Sequence, residues 1–127
     1  MAILKTKVAI GIRWTPFLAQ SGFVPIPMAF LRFATQISPP LQPAEMLLVV
    51  VIQSHRWDSR LPYPSSRKLA EFMGCTDRYV RKLCAQLEAN GYLNRRKGPG
   101  RSLEYDFGIL FSKLEQKMQE TLSASRV

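Results

Sequence analysis

The chain has 127 residues, 46% of them hydrophobic and 10% aromatic, enough to bury one core of its own without recourse to disorder or a disulfide scaffold. Its 18 Lys and Arg against 9 Asp and Glu leave a net charge of +9, which favours a polyanionic partner or an acidic surface. Two cysteines, Cys75 and Cys84, are too few for a disulfide framework and no Cys/His spacing matches a zinc site, so no metal or cofactor is expected and a reducing cytoplasm is the expected compartment.

The opening MAILKTKVAIGIRW is interrupted by Lys5, Lys7 and Arg13 and is followed by no small-residue cleavage site, so it is not expected to be a signal peptide. Within residues 1–22, Val8, Ile10 and Ile12 alternate like a strand while Pro16 and Gly22 punctuate the second half, and the segment reads as an amino-terminal arm. Phe23 to Pro27 should be extended, because each proline disfavours helix in the residue before it, and Met28 to Thr35 then reads as a short helix. Ser38-Pro39-Pro40 forces a loop. Pro43 suits a first helical turn, Glu45 suits the positive end of a helix dipole, and the run from Ala44 to about His55 is apolar nearly all round, as befits the buried centre of a domain. Its longest apolar run, Met46 to Ile52, is seven residues and too short for a bilayer, so no membrane partner is expected.

Trp57 to Tyr63 is a loop rich in charge and proline, with Trp57 and Tyr63 read as core or loop anchors rather than base-stacking platforms. Ser65 is placed after Pro64 to cap a helix that runs to about Met73. Gly74 supplies a left-handed residue at its end, Thr76 caps a second helix, and Asn90-Gly91 stops that one. Leu69, Ala70, Met73, Val80, Leu83 and Leu87 repeat at helical spacing on both sides of Gly74-Cys75-Thr76, so two helices must pack across a tight turn. Tyr92 to Arg96 and Ser102 to Phe107 read as strands joined by Lys97-Gly98-Pro99-Gly100. Phe107, Leu110, Phe111, Leu114, Met118 and Leu122 then mark an amphipathic terminal helix. This order is that of a winged helix-turn-helix, mainly α with a small β-hairpin wing. The expected division is an arm over 1–22, the winged domain over 23–107, and a closing or dimerisation helix and tail over 108–127.

The basic excess lies on this unit: residues 65 to 101 hold nine Lys and Arg against three Asp and Glu. With Val80, Leu83, Cys84 and Leu87 turned inward, a rotation of about 100° per residue puts Arg78, Lys82, Ala85 and Ala89 on the opposite side, flanked by Tyr79 and Arg81. Small alanines allow close approach while Arg and Lys reach phosphates or guanine acceptors, so this face suits a major groove. Arg95, Arg96, Lys97 and Arg101 are expected at the tip of the wing, over backbone or minor groove. Ser65, Ser66, Arg67 and Lys68 at the first helix, with Thr76 at the second, complete the expected DNA-binding set.

Other residues offer weaker chemistry. His55 is the only histidine and no nucleophile is placed near it by a recognisable motif, while Asp58, Asp77, Glu104 and Asp106 are scattered over different elements, so no enzyme is expected. Cys84 should pack as a small hydrophobe, whereas Cys75 sits near a helix amino terminus where a thiolate is favoured, leaving a redox role open.

The stretches FVPIPMAFL, LQPAEMLLVVVIQSHRW, PYPSSRKLAEFMGCTDRYVRKLCAQLEANGYL and YDFGILFSKLE resemble winged-helix domains of phage and plasmid replication proteins, including the amino-terminal domain of DnaD-type primosomal proteins, and related plasmid-borne regulators. The resemblance implies an extended lead-in, a long central helix, the helix-turn-helix, and a passage from wing to closing helix. The resemblance does not reach the further domains that a primosomal loader of that kind uses, so that role is not expected. The expectation is therefore a sequence-specific double-stranded DNA-binding protein, a transcriptional regulator or replication-associated factor of a mobile element, with a homodimer plausible. An adaptor that binds protein partners in a nucleoprotein complex is the rival reading.

Overall fold

The computed structural model describes residues 2–98 and 100–125. Met1, Pro99 of the expected wing turn, and Arg126 and Val127 of the tail lie outside the described residues.

The arm is helical, which corrects the strand-like reading of its alternation: α1 spans Ala2–Arg13 and α2 spans Pro16–Ala19. Val8 and Ile12 are four apart and share a helical side as readily as a strand face. Thr15 caps α2 by accepting the Leu18 N–H at 3.0 Å, with Pro16 in the first turn. A Cβ on Gly11 would lie 3.4 Å from the Pro16 backbone, so the two helices pack against one another at this point.

The lead-in from 23 to 27 is extended as its prolines require, and α3 spans Met28–Phe33, burying Phe30 and Phe33. After the proline loop, α4 spans Pro43–Gln53. Glu45 is buried, and its Oε1 accepts the Gln42 N–H at 2.7 Å, which satisfies an otherwise orphaned donor at the helix start. Leu48, Val49, Val51 and Ile52 of α4 are buried. Leu47 is half exposed, so the apolar girdle is not closed all round as its composition suggested. α4 packs against the next two helices, and Leu47 lies on the flank they leave uncovered.

The next two helices are α5, Ser66–Met73, and α6, Asp77–Ala89. Ser65 accepts the Lys68 N–H and Thr76 accepts the Tyr79 N–H, each at 3.1 Å, so both expected caps are made. Gly74 ends α5 with φ of 64°, a left-handed conformation that any Cβ would strain, and its N–H returns to the Ala70 carbonyl. That reversal lets α5 and α6 close on one another and on α4, burying Leu69 and Ala70 against the α6 stripe of Val80, Leu83, Cys84 and Leu87. Burial pushes the Cys84 thiol up to about 11, consistent with its use as a small apolar side chain.

The wing is an antiparallel pair, β1 at Asn94–Lys97 and β2 at Leu103–Asp106, in the register Asn94 opposite Asp106 and Lys97 opposite Leu103. Both strands are shorter than expected because Tyr92, Leu93 and Phe107 are drawn into the core instead. The buried Tyr92 hydroxyl donates to the Pro39 carbonyl at 2.5 Å, tying the start of the wing to the proline loop. The Tyr105 N–H donates to the Pro62 carbonyl at 2.9 Å, so the segment before α5 lies along the outer edge of β2. Finally α7, Gly108–Ala124, packs on α3 through Leu110 and Leu114. Met118 and Leu122, on the same stripe, are 44% and 48% exposed, so only its first half closes the core.

This division predicts the cost of truncation. Leu83→Ala should lower folding stability by about 2–5 kcal/mol, whereas Leu122→Ala should stay within about 0.5 kcal/mol, as read by urea denaturation of the monomer at high dilution. Equal losses at both positions would mean that α7 is covered along its whole length.

Candidate nucleic-acid interface

The outward side of α6 is built by helical rotation away from the buried stripe. Arg78, Tyr79, Arg81, Lys82, Ala85, Gln86 and Ala89 are all exposed. Arg78 and Lys82 have no carboxylate partner among the described residues. Arg81 pairs with Asp77 one turn earlier at 3.4 Å, with both side chains well exposed, an ion pair weak enough to exchange for a phosphate. Gln86 is a candidate contact outside the set expected from the sequence. It lies one turn beyond Lys82 on the flank of Tyr79, and a carboxamide there presents the donor and acceptor that adenine requires. The 100° rotation that places its neighbours also reaches it.

The starts of the two helices differ electrically. Asp77 occupies the first turn of α6 and already complements its dipole, whereas α5 has no acidic residue in its first turn. Ser65 is exposed, Ser66 is half-buried, and Arg67 and Lys68 are exposed at that start, so the arrangement there can hold a phosphate through backbone N–H groups and two cations. Thr76 and Ser65 each spend their oxygen on a cap but keep a hydroxyl proton to donate.

The wing is where the structure most alters the expected site. Strand alternation puts Arg95 and Lys97 on the face of β1 shared with Tyr105, which is buried, and Asn94 and Arg96 on the other. Arg95 is therefore not at the tip. Its guanidinium reaches back to Glu88 in the last turns of α6 at 2.6 Å, with a quarter of the side chain exposed, and this hydrogen bond raises its pKa further. Arg96 faces outward but is hydrogen-bonded to Asp106, with Glu104 directly opposite on the same face. Lys97 and Arg101 alone of the four flank the turn without a carboxylate partner among the described residues. Burial pushes the Tyr105 phenol up to about 12, so it remains an uncharged packing element.

Elsewhere, His55 Nδ1 lies 2.8 Å from the Val51 carbonyl, which can only accept, so that nitrogen carries the proton. Its ring meets Phe72 edge-on at 5.0 Å, joining the end of α4 to α5. Cys75 is partly buried against the core. Trp57 is 89% exposed and Tyr63 48%, so neither is the anchor their size suggested. In this loop it is Pro62 that is buried. Among the described residues there is no group of three or more His, Cys, Asp or Glu able to hold a metal, and no helix long and apolar enough to cross a membrane.

Residues 41–93 match the family model of a helix-turn-helix domain. The match begins at Leu41, just ahead of α4, and ends at Leu93, just ahead of the wing, so it covers α4, α5 and α6 and leaves the arm, the lead-in with α3, the hairpin and α7 outside it. The hairpin after that domain makes it a winged helix-turn-helix. Neither a curated protein nor a solved structure matches the chain. A domain of this kind with an unpaired basic outward face supports DNA as the partner.

Three classes of cation should separate on mutation. Arg78→Ala or Lys82→Ala should cost about 1–3 kcal/mol of duplex affinity and relax sequence preference. Lys97→Ala or Arg101→Ala should weaken all sequences alike and flatten the slope of log affinity against log salt by roughly 1, from an intact value of roughly −4 to −5. Arg95→Ala should instead lower folding stability by about 1 kcal/mol and leave that slope nearly unchanged. Titrations at several salt concentrations, with denaturation in parallel, check all three.

Proposed function

We propose that this protein binds double-stranded DNA sequence-specifically and without catalysis, as a cytoplasmic transcriptional regulator or replication-associated factor of a mobile element. The observation that carries the DNA reading is the pairing of free cations with small side chains on α6: Arg78 and Lys82 stand beside Ala85 and Ala89, which let the helix approach base edges. The mobile-element reading draws its support from the likeness of the lead-in, central helix and helix-turn-helix stretches to winged-helix domains of phage and plasmid replication proteins. A single recognition helix reads few base pairs, so strong preference favours two copies on a repeated site. The exposed Met118 and Leu122 of α7 are the surface that self-association would use.

The adaptor reading is favoured by a different observation. A groove of about 420 Å³ runs between the extended lead-in, α3, α4 and α7, lined by Val24, Ile26, Phe30, Val50, Phe111 and Met118 among others. An apolar groove of that kind suits a protein segment as a partner.

Selection of bound duplexes from a random pool separates the two readings. Enrichment of a motif whose half-sites lie about one helical turn apart is the expected result, and no enrichment would favour the adaptor. Light scattering at micromolar concentration should give a dimer that Leu122→Asp converts to a monomer. Leu114 is unsuited to that test because it is buried within the protomer.

A further inference from the structure

The loop between α4 and α5 presents its largest side chain to solvent and holds it there. Arg56 Nη2 donates to the Ser59 carbonyl at 2.9 Å, and Arg60 grips Asp58 through Nη2 at 2.7 Å and Nε at 3.0 Å. These bonds fix the backbone around Trp57, whose ring is 89% exposed. A tryptophan left in water by a loop this well bonded has no folding role to explain it.

Beside it lies a cleft of about 220 Å³ lined by His55, Arg56, Trp57, Arg60, Tyr63 and Pro64, among others. Its position matters. Pro62, between Leu61 and Tyr63 of the lining, is bonded to Tyr105 of the wing, and Pro64 immediately precedes the Ser65 cap of α5. The cleft therefore adjoins both the wing and the basic start of α5. Trp57 and Tyr63 share this lining with Arg56, while the Asp58 carboxylate in it is neutralised by Arg60, so the aromatic side chains stand in a lining with one uncompensated positive charge. That chemistry fits an unpaired base attached to a phosphate backbone better than it fits an apolar peptide.

We propose that this cleft binds single-stranded DNA by stacking an unpaired base on Trp57, next to the surface that holds duplex. The inference rests on nucleic acid being the partner, and adds a second strand state to the duplex reading. A protein with both surfaces would engage the boundary between paired and unpaired DNA, with α6 on the duplex and Trp57 on the strand that leaves it.

The test uses the full chain carrying Trp14→Phe, excited selectively at tryptophan, so that the signal comes from Trp57. An oligothymidylate of about 12 nucleotides should quench that emission, and an abasic strand of equal length, which keeps the phosphates, should bind more weakly without quenching. In the natural background Trp57→Ala should reduce oligothymidylate affinity about tenfold while changing duplex affinity less than about twofold, and Trp57→Phe should retain most of it. Absence of quenching, equal affinity for the abasic strand, or equal loss on single strand and duplex in Trp57→Ala would each overturn the proposal. Quenching by oligothymidylate in a protein that binds no duplex would support it while removing the duplex reading.

Discussion

The apolar seam between α5 and α6 is the constraint on which the rest of the molecule depends. Leu69 and Ala70 meet Val80, Leu83 and Leu87 only because the chain reverses within Gly74, Cys75 and Thr76. The reversal needs a left-handed residue at its start and a side-chain cap at its end, and the sequence supplies both. Once the stripe of α6 is fixed inward against α4 and α5, helical geometry leaves no freedom in which residues face outward. The same four buried residues that hold the fold thus aim Arg78 and Lys82 at the solvent. Function on this face is a consequence of core packing.

Charge tells a finer story than the net of +9. A cation already bonded to a carboxylate releases little counterion on meeting DNA, so the decisive property is which of them remain free. The pair Arg95 with Glu88 joins α6 to the wing, the pair Arg96 with Asp106 ties the two strands of the wing together, and the pair Arg60 with Asp58 stiffens a loop. Arg67, Lys68, Arg78, Lys82, Lys97 and Arg101 are the ones without an ion-pair partner among the described residues of this surface. They come from the start of α5, the outer side of α6 and the wing turn. The hydrogen bonds Tyr105 to Pro62 and Arg95 to Glu88 keep those three elements in fixed relation.

How much of the fold and the site can be read from the sequence depends on the range of the forces involved. The caps Ser65 and Thr76, the turn at Gly74 and the stop at Gly91 are local, each decided within a few residues, and are legible there. So is the inward stripe of α6, since helical period is a local property. The arm misleads because Val8 and Ile12, four residues apart, fit a helical side and a strand face alike. Arg95 looks like a tip residue because its place depends on register against β2 and on Glu88, seven residues away in another element. Trp57 looks like an anchor because size usually means burial, and nothing local says that the loop buries Pro62 and leaves Trp57 exposed.

The central claim is that duplex DNA sits against α6, with the start of α5 and the wing turn as its flanks. Titrating an isotope-labelled sample with a selected duplex and monitoring backbone amide resonances tests it directly. The account predicts that the largest shifts fall on residues 65–68, 76–86 and the amides of Lys97 and Arg101, with the α7 amides from 115 to 124 little changed. Shifts concentrated on α7 and on the groove beside Phe30 and Phe111, with α6 silent, would contradict it.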